Sequence, residues 1–236
     1  MAEEKRFAKE REKIESFSDF SNVYNFKKDF KYSYKTDAGL TEEIVREISA
    51  QKDEPEWMLQ ARLKSLELFY KIDYPTWGPD ISELQMDNIV TYVRPDAGLK
   101  ADWNEVPEDI KDTFDRLGIP EAEKTSLAGV GAQYDSEVVY HSIQEELVKQ
   151  GVVYTDFDTA LKEHEDIVRK HFMKLIPPTD HKFAALHGAV WSGGSFVYVP
   201  EGVQVDIPLQ SYFRLNAPGA GQFEHTMIVV EKGSLY

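Results

Sequence analysis

The chain has six histidines, no cysteine and several glycine-rich turns with which to do chemistry. His181, His187 and His225 are the histidines of its C-terminal part. A cupin-type β-barrel metalloenzyme would draw on His187, Glu224 and His225. The spacing from Gly194 to Pro200-Glu201-Gly202 matches the start of a cupin second motif. The ligand histidine due three residues after Gly202 is Val205, and the preceding His-x-His pair is missing. Metal chemistry needs converging ligands, so a metal-free strand–turn–strand is the better reading. His164 and His171 fall on one face of an expected helix over 158–175 with Asp158 as its cap. They are about 10 Å apart along an axis rising ~1.5 Å per residue, too far to share an ion, and packing or surface roles suit them. Ser192-Gly193-Gly194-Ser195 is not a Gly-x-Ser-x-Gly nucleophile elbow. Ala128-Gly129-Val130-Gly131-Ala132 lacks the third glycine of a dinucleotide loop and reads as a turn. With no cysteine, these residues cannot form a disulfide, a thiolate zinc site, a Cys-ligated cluster or a thiol nucleophile.

The elements that must position these groups change character near Ile176-Pro177-Pro178, and the boundary is placed there: residues 1–175 and residues 176–236. The first part reads as mainly helical. Residues 3–15 are a charge-rich run. Phe17, Phe20, Tyr24, Phe26, Phe30, Tyr32 and Tyr34 then follow in a spacing that fits neither a helix nor a strand and suggests an extended segment pinned by its rings. Thr41-Glu42-Glu43 caps a helix, and Pro55 opens another whose apolar face is Leu59, Leu63, Leu66 and Tyr70. Asp73 to Pro79 carries turn chemistry. A short helix runs from Trp103 to about Leu117 and stops at Gly118-Ile119-Pro120.

The second part holds 7 of the 14 glycines. Short β-rich runs at 196–199, 203–207, 212–215 and 226–230 are separated by Gly and Pro turns. That pattern suits a jelly roll, a cupin barrel or a β-solenoid. No cap follows Lys232-Gly233-Ser234-Leu235-Tyr236, so a longer natural chain, or a partner over this end, is expected.

With 27 basic and 42 acidic side chains the formal charge is −15, which disfavours nucleic-acid binding. No secretory leader and no membrane-spanning run are visible, and a cytoplasmic location is expected.

Several longer stretches point one way together: Glu54 to Leu63, Trp77-Gly78-Pro79-Asp80-Ile81, Gly129 to Glu137, Ala184 to Pro200, and Gln210 to Ala217. From about residue 15 onward the chain resembles the SufB/SufD family of iron–sulfur cluster assembly scaffolds, on the SufB side at Tyr134-Asp135-Ser136-Glu137. The resemblance implies an α+β chain: an N-terminal helical domain followed by the first turns of a right-handed parallel β-helix. It implies a non-catalytic scaffold role with a SufC-type ATPase, SufD or a second SufB, and a cysteine desulfurase system supplying sulfur as persulfide. The iron–sulfur cluster, and in some members reduced flavin, would belong to the longer protein, with no cofactor in this stretch. It also implies that Arg214 and Asn216 line an interior sulfur route. Two residues apart on a strand, they would share a face, and a guanidinium with an amide can hold a persulfide anion. His225 stands where the family pattern has arginine, which leaves its role open. A cupin-like metalloenzyme and an interaction module with an exposed β edge remain the competing readings.

Overall fold

The computed structural model describes residues 31–116 and 127–236. The run 3–15, the aromatics from Phe17 to Phe30 and the Gly118-Ile119-Pro120 stop lie outside the described residues. Within them the fold is α+β.

Strand β1 (Tyr32–Lys35) pairs antiparallel with β2 (Val93–Pro95). Helix α1 (Glu42–Lys52) starts where the sequence placed it, because the Thr41 hydroxyl accepts from the Ile44 amide at 3.3 Å. Helix α2 (Glu56–Lys71) follows Pro55. Its buried stripe is Met58, Arg62, Ser65, Leu66 and Phe69, whereas Tyr70, assigned to that stripe by spacing, is 63% exposed. The stripe is turned by Arg62, whose guanidinium grips both Glu54 oxygens and donates to the Ala189 and Trp191 carbonyls. A cation that needs four acceptors overrides the leucine count in choosing the inner face. The single helix expected from Trp103 is a 3-10 turn, Trp103–Glu105, and then α3 (Glu108–Arg116).

Among the described residues five strands precede residue 176, where mainly helix was expected. Strands β3 (Gly129–Tyr134) and β4 (Glu137–Ile143) form a hairpin. Helix α4 (Glu145–Lys149) leads to β5 (Val153–Asp156). The Gly129-x-Gly131 turn is therefore a strand. A Cβ at Gly131 would lie 2.9 Å from the Tyr154 hydroxyl, so the missing side chain admits that ring. The helix expected over 158–175 is two short ones, α5 (Phe157–Glu163) and α6 (Glu165–His171), broken at His164. Asp156, rather than Asp158, is the cap, accepting from the Thr159 amide at 2.8 Å. Leu175 is 97% exposed and off any helix face.

Helix α7 (Lys182–Val190) lies within the part read as β-rich, capped by the His181 ring, whose Nδ1 accepts from the Phe183 and Ala184 amides. Its Ala-rich sequence is buried nearly all round, so no amphipathic period announces it. Strands β6 (Ser195–Val199), β7 (Leu209–Arg214) and β8 (Met227–Val230) match three of the four expected runs. The run 203–207 makes only a parallel bridge, Gln204 to Leu235.

Two three-stranded sheets result. One has the order β4-β3-β7 and the other β5-β6-β8. In each an antiparallel pair is extended by a parallel strand: β3 with β7, and β6 with β8. Both sheets join strands from either side of Pro177-Pro178. Apolar side chains of α1, α2 and α7 form one cluster around Ile48, Phe69 and Val190. A second, with Phe157, Phe172 and Trp191 at its centre, underlies β6 and β8. A third joins α3 to β3 and β4.

Candidate functional site

The parallel register places Tyr134 beside Arg214 at the C-terminal ends of β3 and β7. Side chains alternate along a strand. Val130, Ala132 and Tyr134 face the α3 cluster, and Tyr212 packs against it from β7, so Arg214 follows on the same side. Burial pushes the Tyr134 hydroxyl up to about 12, Asp135 adds to the effect, and the nearby Arg214 guanidinium opposes it. Asn216 lies past the end of β7 and is fully buried. Its side-chain amide donates to the Tyr32 hydroxyl at 3.4 Å. Shared strand alternation is therefore not what brings the two residues together. Arg214 ends the ladder, Asn216 leaves it, and both come to the Tyr134–Tyr32 neighbourhood.

What holds this corner is Asp135. It is 1% exposed and sits at the β3–β4 turn with φ +54°, a left-handed conformation that Asp tolerates better than most residues. Its Oδ1 accepts from the Asn216 amide at 2.6 Å and the Ala217 amide at 2.9 Å. Its own amide donates to the Arg214 carbonyl at 2.8 Å. Its carbonyl receives the Gln133 and Gln222 side-chain amides at 3.0 and 2.8 Å. Gln133 in turn accepts from the Gly194 amide at 2.8 Å. Next in sequence, Ser136 exchanges hydrogen bonds with the Val93 backbone. Buried polar groups need such partners, because an orphan costs about 1–3 kcal/mol.

His187 and His225 come together: Nε2 and Nδ1 are 2.7 Å apart. Phe157, Phe172 and Trp191 ring His225, with centroids 4.7, 4.9 and 5.8 Å away. Burial pushes His187 down to about 4 and His225 to about 3, with Arg62 adding to both and His187 to His225. The pair is neutral at pH 7, one ring donating to the other. A 2.7 Å separation is a hydrogen bond and leaves no ion between the nitrogens. Glu224 is not with them; it accepts from the Thr226 hydroxyl. Among the described residues no three His, Asp or Glu side chains converge on a metal position, and both sheets are open. These findings overturn the cupin-type reading.

The serines make a hydroxyl chain, Ser195 to Ser211 at 2.6 Å and Ser211 to Tyr154 at 2.7 Å, with no base in it. Sequence reasoning missed an ion triad. The Lys52 ammonium, 2% exposed, meets Asp158 at 2.7 Å and Glu137 at 3.4 Å. Burial alone would push Lys52 down, but the two carboxylates outweigh it and hold it up. The triad floors a cleft of roughly 400 Å³ and ties α1 to β4 and α5. A lysine in a last helical turn reads as a solvated dipole partner, so nothing in the sequence pointed inward.

The family described as "SufBD protein N-terminal region" matches residues 41–211. Over 199 residues the chain is 59% identical to "Iron-sulfur cluster assembly protein SufB" of Bacillus subtilis (strain 168), covering 84% of this chain and 43% of that protein. Over 211 residues it is 54% identical to an "Iron-sulfur cluster assembly SufBD family protein" of Staphylococcus aureus (strain USA300), covering 89% of this chain and 45% of that one. The chain thus spans less than half the length of the curated relatives it matches.

Proposed function

The chain belongs to the SufBD family, and on that premise we propose that it is the N-terminal part of a SufB-type scaffold for iron–sulfur cluster assembly. The scaffold receives sulfur and builds a nascent cluster without being an enzyme by itself. The cluster is cargo of the longer protein. Its partners are a SufC-type ATPase, SufD or a second SufB, and a cysteine desulfurase system, in the cytoplasm. No described helix is long and apolar enough to cross a membrane. The parallel pairs β3–β7 and β6–β8 and the parallel Gln204–Leu235 bridge support the start of a parallel β-helix. Reduced flavin, where members of the family use it, would likewise belong to the longer protein.

What supports the reading is that Arg214 lies beside Tyr134 and the buried Asn216 reaches Tyr32 at the same corner, in a chain 59% identical to a named cluster assembly protein. A guanidinium there offers charge and directed N–H donors, and the Asn amide adds a further donor, both suited to a persulfide anion in transit. Arg214→Ala in the full-length protein is expected to lower cluster formation about tenfold while the complex with its partner subunits still assembles. Cluster yield after anaerobic sulfur transfer is the measurement. Unchanged yield would leave Arg214 a structural residue and remove the sulfur-route reading.

A further inference from the structure

We propose that Asp135 is a positioning residue for the sulfur route, acting through the backbone of Asn216. This rests on the reading of Arg214 and Asn216 just given. It adds a residue from the β3–β4 turn, to which neither the spacing nor the resemblance gave a role in the route.

The geometry is specific. The Asp135 carboxylate reaches across from the β3–β4 turn and takes the amides of Asn216 and Ala217 on one oxygen, at 2.6 and 2.9 Å. These are the two residues at which the chain leaves the β7 ladder. The Asp135 amide simultaneously holds the Arg214 carbonyl at 2.8 Å. One residue therefore fixes the main chain on both sides of Leu215 and sets the angle between the Arg214 and Asn216 side chains. A charged acceptor makes short, strong bonds to N–H donors, and Asp135 is 1% exposed, so water does not compete for them. Gln133, two residues back on β3, and Gln222, from the segment before β8, both hold the Asp135 carbonyl, which keeps the turn itself from drifting.

A side chain at the end of a strand has no ladder to orient it. Without the carboxylate, Asn216 would keep its chemistry and lose its place. Displacement by an ångström is enough to cost about two orders of magnitude in a step that depends on alignment.

Asp135→Gly removes the carboxylate while suiting the positive φ, so the hairpin keeps its turn. In the full-length protein assembled with its partners, this variant is expected to deliver sulfur about tenfold more slowly with the complex intact. Asp135→Asn keeps an oxygen acceptor at the same place, tolerates the same φ, and is expected to recover at least half of the rate. Asp135→Gly combined with Asn216→Ala is expected to fall no further than Asn216→Ala alone, because two residues acting through one position do not add. A merely structural role predicts the opposite: losses that multiply and no rescue by Asn. If Asp135→Gly does not assemble, Asp135→Ser carries the same expectation. Slow delivery by Asn216→Ala beside delivery within twofold of normal by Asp135→Gly would overturn the positioning role and leave the route intact. Normal delivery by both Arg214→Ala and Asn216→Ala would sink the route reading itself.

Discussion

The two three-stranded sheets have the same plan and opposite endings. In each, an antiparallel pair receives a parallel third strand. At the end of β7 the chain turns into a buried polar corner built from Tyr134, Asp135, Arg214 and Asn216. At β8 the residues alternate buried and exposed, Met227 and Val229 inward, Ile228 and Val230 outward, over a floor of aromatic and aliphatic side chains that includes Phe157, Phe172, Trp191 and Leu161. Register alone does not decide what a parallel strand is for. The difference lies in what meets each strand: a turn with a buried carboxylate at the end of β7, apolar side chains under the inner face of β8.

Breaking the joint between the sheets should have the largest effect. Gly194 has φ +97°, donates to Gln133 beneath the first sheet, and passes so close to the His225 backbone that a Cβ would overlap it. Gly194→Ala is expected to cost about 3–5 kcal/mol, from strain plus forced separation. Urea denaturation measures it, and a loss under about 1 kcal/mol would mean the sheets are not locked together there.

A smaller effect should mark the second sheet alone. His187 and His225 ordinarily titrate at 6.5 and in the fold at about 4 and about 3. The unfolded chain therefore takes up protons first. Stability is full above about pH 6.5 and falls as the pH drops toward about 4, by roughly 1–2 kcal/mol per histidine between about pH 7.5 and about pH 5. His141, pushed down by burial, contributes in the same direction. His225→Phe should flatten part of that slope in urea midpoints taken at the two pH values, whereas an unaltered slope would place the titration elsewhere. The smallest effect belongs to the outer face of β8. Ile228 is 49% exposed, and Ile228→Thr should move the thermal midpoint by the equivalent of about 0.5 kcal/mol or less. A larger drop would show that this face is packed.

The sequence spoke most clearly where a local rule and the tertiary fold agree. Thr41 caps a helix wherever its surroundings put it, and 196–199 and 226–230 are β-branched enough to declare themselves. It misled where the tertiary fold overrode the rule. Gly129 and Gly131 look like a turn because their use, making room for Tyr154, is visible only with the second sheet in place. Helix α7 is buried on every side and so has no period to read. The α2 stripe follows Arg62, a residue that hydrophobicity would send outward. Arg214 and Asn216 were named as candidates through the resemblance. The stretch holding Asp135 was part of the resemblance, but the role of its carboxylate was legible to neither approach, because the amides it binds are more than 80 residues away and carry no sequence signal.

The parallel pairing of β3 has a consequence during synthesis. Gly129 pairs with Leu209, which leaves the ribosome roughly 80 residues later, some 4–16 s at about 5–20 residues per second. For that interval the hairpin presents a bare edge whose six β3 residues are all buried in the finished fold. Such an edge is a template for pairing with other nascent chains. Until β7 arrives, that edge of the first sheet stays open to such pairing.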